Sequence, residues 1–355
     1  MKHRLALIGF GTVGQGVCEI FRNKKDYLKK KFGFEFDIVA VSDLYFGNIY
    51  NPDGLDIKGL IKNGKEKKPF TSNLKEWDNL TMIKESNATT ILELTYTDLD
   101  TGGPAMEHCR TALRAGKNIV TSNKGPAALA YPEMKKLAVE NGVSFLIEGT
   151  VCAGTPVINL SEGPLSGCSI SKIRGILNGT TNFMLSEMEK GIPYGEVLKI
   201  AQEKGYAEAD PTGDVEGYDA RGKVTILANI VLGGSLKVSD IPCTGITGIT
   251  PEDIKAATEK NKRWKLIGSV EKNGEVISGS VAPEMVDLSH PLAGVTGTTN
   301  ALTFTTDLLG DVTIVGPGAG KIETGFSIIT DLLKINKIPV FENSGERRNN
   351  DEHPI

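Results

Sequence analysis

Over the first 150 positions, short apolar runs rich in β-branched residues alternate with stretches of helical periodicity. Strands are predicted at 5–8, 37–41, 90–94, 118–121 and 144–147. Helices are predicted near 13–31, 103–115 and 132–141, the last two closed by Gly116 and Gly142, placed where a left-handed residue ends a helix. Strand and helix in strict turn predict an α/β domain over residues 1–150, built as a doubly wound parallel sheet.

The simple alternation stops after Glu148, where TVCAGTPVINLSEGPLSG brings glycines and prolines. A second, α+β domain is expected over 151–310. It has strands at 170–177, 264–270, 276–281 and 302–306 and helices at 180–190, 193–204 and 218–232. A strand at 311–315 then leads through GPGAG into an amphipathic helix at 322–335. Its apolar positions Ile322, Phe326, Ile329, Leu332 and Leu333 repeat at helical spacing. Residues 311–340 are expected to return to the first domain, and 342–355 to form a flexible tail, since they hold almost nothing to bury.

Composition narrows the classes. A length of 355 residues exceeds one ordinary core. A net charge of -4 argues against a nucleic-acid surface, and KNGKEKK at 62–68 reads as a short solvated run. Cys18, Cys109, Cys152, Cys168 and Cys243 are scattered without CxxC spacing, which fits a reducing compartment and predicts a cytoplasmic protein. The opening MKHRLALIGFG has too short an apolar run for a membrane span, and no membrane partner or export signal is expected.

Chemistry concentrates at the predicted strand ends. GFGTVGQG follows the first strand and opens the first helix, so Gly9, Phe10, Gly11, Thr12, Val13 and Gly14 can present free backbone N–H groups to a pyrophosphate. The first domain is therefore read as a Rossmann-type dinucleotide-binding domain. Asp43, ending the second strand, suits a ribose 2′-hydroxyl or, alternatively, caps a loop. No arginine follows it, which favours NAD over NADP unless Lys58 or a lysine among 62–68 holds a 2′-phosphate. Thr95 and Thr97 after the third strand are candidate hydroxyls for the nicotinamide amide. Lys124 after the fourth reaches the same rim, unless it is a plain surface charge. In EGTVCAG, Cys152 is either a nucleophile of an acylating aldehyde dehydrogenase or a small buried thiol. Glu148 with the carbonyls of Val151, Ala153 and Thr155 can hold a monovalent cation. ILNGTTNF offers Asn178, Gly179 and Thr180 to a small polar substrate, with Thr180 or Thr181 as helix cap, and GPGAG sets Gly318 and Gly320 to close over a cofactor. In EADPTGDVEGYDARGK, Asp219 and Lys223 are four apart on one helical face, so the carboxylate can keep the ammonium charged for proton transfer to a carbonyl oxygen. Glu208 suits a substrate ammonium, and Asp214 adds charge or shapes the turn.

GFGTVG, TSNKGP, EGTVCAGTP, ILNGTTNF, GYAEADPTGDVEGYDARGK and GPGAG occur in the order seen in homoserine dehydrogenases, and the chain resembles that family over most of residues 1–337. The resemblance implies NAD(P)-dependent interconversion of L-homoserine and L-aspartate 4-semialdehyde, on the branch leading to threonine, methionine and isoleucine. It puts the catalytic lysines at Lys124 and Lys223, substrate contacts at Glu208 and Asp219, and sodium at Glu148, Val151, Ala153 and Thr155. It also implies a homodimer joined through the second, catalytic and dimerisation domain. A regulatory C-terminal domain is not expected. A non-catalytic NAD-binding sensor is the remaining alternative.

Overall fold

The computed structural model of the protein describes residues 2–336; the tail expected at 342–355 lies outside them. The first sheet contains β1 (His3–Ile8), β2 (Phe36–Asp43), β3 (Gly47–Tyr50), β4 (Thr90–Glu93), β5 (Asn118–Thr121) and β6 (Phe145–Leu146). Its order is β3-β2-β1-β4-β5-β6, all parallel except β3, which turns back along β2. Leu5 to Ile8 and all of β4 are buried, as both-face coverage of a parallel sheet requires. The chain leaves β1 in opposite directions toward β2 and β4, so the carboxyl ends of β1 and β4 flank the crevice where open α/β sheets take ligands.

The second sheet is antiparallel, β11-β10-β7-β8-β9, from β7 (Ile170–Ile176), the hairpin β8 (Lys262–Asn273) and β9 (Val276–Asp287), and β10 (Thr299–Thr306) with β11 (Gly310–Pro317). Helices Gly179–Met188 and Tyr218–Ile230 pack against it, giving the α+β layer. Residues 310–317 pair with β10 and stay in this sheet; only the helix Lys321–Ile335 reaches back to the first. That helix packs on the first helix, Thr12–Phe32, where Gly16 lies against the Lys321 carbonyl and Gly325 against the Gly16 backbone. The close glycine contact sets its rotation. Ile328, Ile329, Leu332 and Leu333 are buried, whereas Ile322 and Phe326, expected on the apolar face, are exposed. Helices at Ile57–Glu66, Asn79–Glu85, Lys124–Leu129 and Pro251–Glu259 were not legible in the periodicity, being short or interrupted by glycine and polar residues.

Candidate active site

The glycine turn is packed on one side and open on the other. Gly9 has φ 99°, and a side chain there would strike the Leu94 carbonyl; one at Gly14 would strike the Gly9 carbonyl. Gly11 has no protein atom within 4 Å of a would-be Cβ, and it caps the first helix without any side-chain partner. Thr12 and Val13 begin that helix, so its free N–H groups and dipole face open space suited to an anion. Asp43 is a loop anchor here. Its Oδ2 accepts from Phe10 N at 2.8 Å and its Oδ1 from Tyr45 N and Phe46 N at 2.9 and 3.0 Å. Three of roughly four carboxylate lone-pair sites are filled, leaving about one for a ribose hydroxyl.

Two further turns complete the rim. Asn123 caps the helix Lys124–Leu129, its Oδ1 accepting from Gly125 N at 2.9 Å while its Nδ2 donates to Tyr96 O at 2.7 Å and Thr95 O at 3.2 Å. Lys124 N donates to Thr97 Oγ1 at 3.3 Å. These bonds lock the 95–97 turn to the start of the lysine-bearing helix.

From that rim Lys124 Nζ reaches Asp219 Oδ1 at 3.5 Å, while Lys223 Nζ bonds Asp219 Oδ2 at 2.7 Å and Leu177 O at 2.6 Å. Asp219 stands in the first turn of Tyr218–Ile230, where the helix dipole favours a carboxylate, and Lys223 is one turn on. Burial opposes its ionisation, but the two ammonium groups win and hold the Asp219 carboxyl well below the usual range. For Lys223 burial likewise opposes charge, and Asp219, with Asp214 behind it, overcomes this and raises the pKa. Lys223 is therefore a buried ammonium with two of its three protons committed.

Asn178 joins the cluster, its Nδ2 donating to Asp214 Oδ1 at 2.6 Å and Asp219 Oδ2 at 3.1 Å. Its Oδ1 caps the helix Gly179–Met188 by accepting from Thr181 N, so Asn178 is the cap in place of Thr180 or Thr181, because it stands just before the first helical residue while both threonines lie inside the helix. Thr180 donates to Tyr206 O, and a side chain at Gly179 would strike the Thr298 carbonyl. Burial and the Asp219 charge raise the Asp214 pKa. Glu208 stays on an exposed turn and, among the described residues, makes no hydrogen bond or ion pair through its carboxylate, so the structure does not bring it onto the cluster.

Behind Lys223 lies the EGTVCAG loop. Cys152 is buried, its Sγ accepting a 3.5 Å bond from Asn300, and burial raises its pKa against the opposing Lys223 charge, which disfavours a thiolate. Glu148 Oε2 accepts from Asn159 N at 2.7 Å, but its buried Oε1 has no partner. Among the described residues, no donor meets the carbonyls of Val151 and Ala153, where the backbone passes through left-handed Cys152 and Ala153; Val157 N takes the Thr155 carbonyl. Burial, reinforced by the Asp331 charge, lifts Glu148 to about 8, and burial lifts Asp331 to about 7. An unpartnered carboxylate oxygen beside free carbonyls fits a hard cation. Thr155 Oγ1 donates to Pro317 O, tying the loop to the 316–320 turn, where a side chain at Gly318 would strike Asn300 and one at Gly320 would strike Glu323.

Sequence reasoning missed Asp331, Asn300 and the buried Glu93–His108 pair. Two had a signal: Glu93 sits inside an otherwise apolar strand, and Asp331 on the buried face of an amphipathic helix.

A family model described as homoserine dehydrogenase matches residues 156–333. The chain is 44% identical over 340 residues to the NAD(+)-dependent homoserine dehydrogenase of Pseudomonas canavaninivorans, covering 95% of this chain and 97% of that protein. It is 42% identical over 336 residues to the homoserine dehydrogenase of Methanocaldococcus jannaschii, covering 93% and 98%. Among solved structures, a putative homoserine dehydrogenase from Archaeoglobus fulgidus superposes with TM-score 0.85 at 37% identity, over 94% of this chain and 99% of that one. A hyperthermophilic archaeal homoserine dehydrogenase in complex with NADPH gives 0.82 at 29% identity, over 96% and 99%.

Proposed function

The chain belongs to the homoserine dehydrogenase family, and from its site geometry we propose how it carries out the NAD(P)-dependent interconversion of L-homoserine and L-aspartate 4-semialdehyde. The carrying observation is the Asp219 carboxylate shared between Lys223 at 2.7 Å and Lys124 at 3.5 Å, which joins the second domain to the rim of the dinucleotide crevice. The nicotinamide, when bound, supplies or takes up the hydride. Lys223, with one proton uncommitted, donates it to the carbonyl oxygen during reduction and recovers it during oxidation. Asp219 keeps that ammonium charged and aimed, and Lys124 steadies the oxygen side of the substrate. Asn178, Gly179, Thr180 and Asp214 shape the substrate end, and Glu208 swings from its exposed turn to meet the amino-acid ammonium.

Gly9 to Gly14, Asp43, Thr95, Thr97, Gly318 and Gly320 bound the nucleotide site. Asp43 and the lack of arginine in the following loop favour NAD, matching the named preference of the Pseudomonas canavaninivorans relative. Glu148, Val151, Ala153 and Thr155 would hold sodium, bracing the loop behind Lys223. We read residues 1–150, with the helix Lys321–Ile335, as the nucleotide-binding domain. The chain acts in threonine, methionine and isoleucine synthesis, in the cytoplasm, where its five free cysteines suit the redox state. No helix among the described residues is long and apolar enough to cross a membrane. A homodimer is supported by the open outer edge of β11, with Val315 half exposed.

Steady-state kinetics on homoserine with each nucleotide test the reading. NAD reduction with a higher kcat/KM than NADP supports it; nucleotide binding without turnover would instead indicate a sensor.

A further inference from the structure

The Glu93 carboxylate ends β4 and is fully buried, with no lysine or arginine paired to it among the described residues. His108 Nδ1 lies 3.2 Å from its Oε1, and Thr95 Oγ1 donates to the same oxygen at 2.5 Å. Thr121 Oγ1 touches Glu93 O at 2.7 Å and Oε2 at 3.4 Å, and in turn accepts from Asn123 N at 2.9 Å. Both rim turns are thus fastened to Glu93, 95–97 through its carboxylate and 121–124 through its backbone carbonyl. On its other side, His108 Nε2 lies 3.1 Å from the Asn79 amide, which meets Ser42 Oγ at 2.5 Å. Ser42 meets Asn48, and Asn48 Oδ1 accepts from Asp43 N at 3.2 Å. One chain of bonds therefore runs beneath the crevice from Asp43, which holds the glycine turn, to the cap of the Lys124 helix.

Proton counting settles the centre of that chain. Asn48 is oriented by donating to Trp77 O while accepting from Asp43 N, so the one Ser42 proton is shared between two amide oxygens, Asn48 Oδ1 at 2.7 Å and Asn79 Oδ1 at 2.5 Å. The 2.5 Å separation suits O–H···O and is short for N–H···O, so Asn79 keeps its oxygen toward Ser42 and donates from Nδ2 to His108 Nε2. His108 Nε2 then accepts from Asn79, so the ring proton sits on Nδ1 and is donated to Glu93 Oε1.

We propose that His108 is a positioning residue: an imidazole donating from Nδ1 to Glu93 and accepting at Nε2 from Asn79 holds the glycine turn and the Lys124 rim in register for dinucleotide and substrate. The inference rests on the reading that this crevice takes the nicotinamide nucleotide; wild-type turnover on homoserine tests that reading by itself. The ring protons are measured without turnover, by ¹⁵N NMR on a protein whose only histidine is His108 (His3→Gln, His290→Gln, His353→Gln). At neutral pH Nδ1 should give an N–H-type shift and Nε2 a bare-nitrogen shift, and the reverse pattern, or N–H-type shifts at both, would overturn the proton count. In kinetics, His108→Phe should lower kcat about tenfold or more at saturating nucleotide and weaken NADH binding similarly, because misplacing a reacting group by a fraction of an ångström carries that scale of loss. His108→Gln, still able to donate to Glu93, should recover part of it. Wild-type kcat and NADH affinity in folded His108→Phe would overturn the positioning role. Should that variant fail to fold, Asn79→Ala must still weaken NADH binding, and unchanged affinity there overturns the role equally.

Discussion

Replacing Lys223 with Met removes the ammonium while keeping most of the stem that packs in the core. Two charge-assisted bonds disappear, to Asp219 Oδ2 at 2.7 Å and Leu177 O at 2.6 Å. Asp219 is not stranded, because Lys124 and the Asn178 amide still face it, so the stability loss should be about 1–3 kcal/mol and not the larger cost of an orphaned buried charge. The catalytic loss is separate. A positioned acid contributes roughly a hundredfold to ten-thousandfold, or about 3–5 kcal/mol of barrier at ~1.4 kcal/mol per tenfold. Lys223 makes no bond to the glycine turn, so NADH affinity should hold within about twofold, well under 1 kcal/mol. The assay is NADH formation from homoserine, with NADH binding followed by fluorescence. A variant retaining more than about a tenth of wild-type kcat would remove Lys223 as the proton carrier, since even weak acid catalysis exceeds that factor.

Gly11→Ala should fold with an unchanged Tm yet bind NADH at least about tenfold more weakly, because its methyl meets no protein atom and occupies the anion's space; Gly9→Ala should lower the Tm, its methyl meeting Leu94 O at φ 99°. Cys152→Ala should keep most activity, because burial keeps the thiol protonated; loss of all turnover would revive a thioester route. Glu148 and Asp331 bind protons more tightly folded than unfolded, since burial raises them to about 8 and about 7. Without added sodium the Tm should therefore fall as pH rises from about 5 to 8, and Glu148→Gln should flatten that slope. Sodium binding needs the Glu148 carboxylate and should tighten over the same window; calorimetry showing pH-independent sodium affinity would refute the site.

Local pattern determined the α/β alternation, the glycine turn and the Asp219–Lys223 pair, because period-two and period-3.6 repeats and a four-residue spacing are properties of nearby residues. It did not determine the rotation of the last helix, decided by Gly16 against Gly325, or the strand β11, which joined the second sheet by pairing with β10. Nor did it show that Asp43 spends three acceptor sites on backbone, that Asn178 both caps a helix and faces two carboxylates, or that Glu208 stays outside the cluster. Those outcomes rest on which distant atoms come within hydrogen-bond reach. Glu93 with His108, Glu148 with Asp331, and Lys124 with Asp219 are pairs separated along the chain. Their charges acquire meaning only when the sheet and its covering helices exclude water between them.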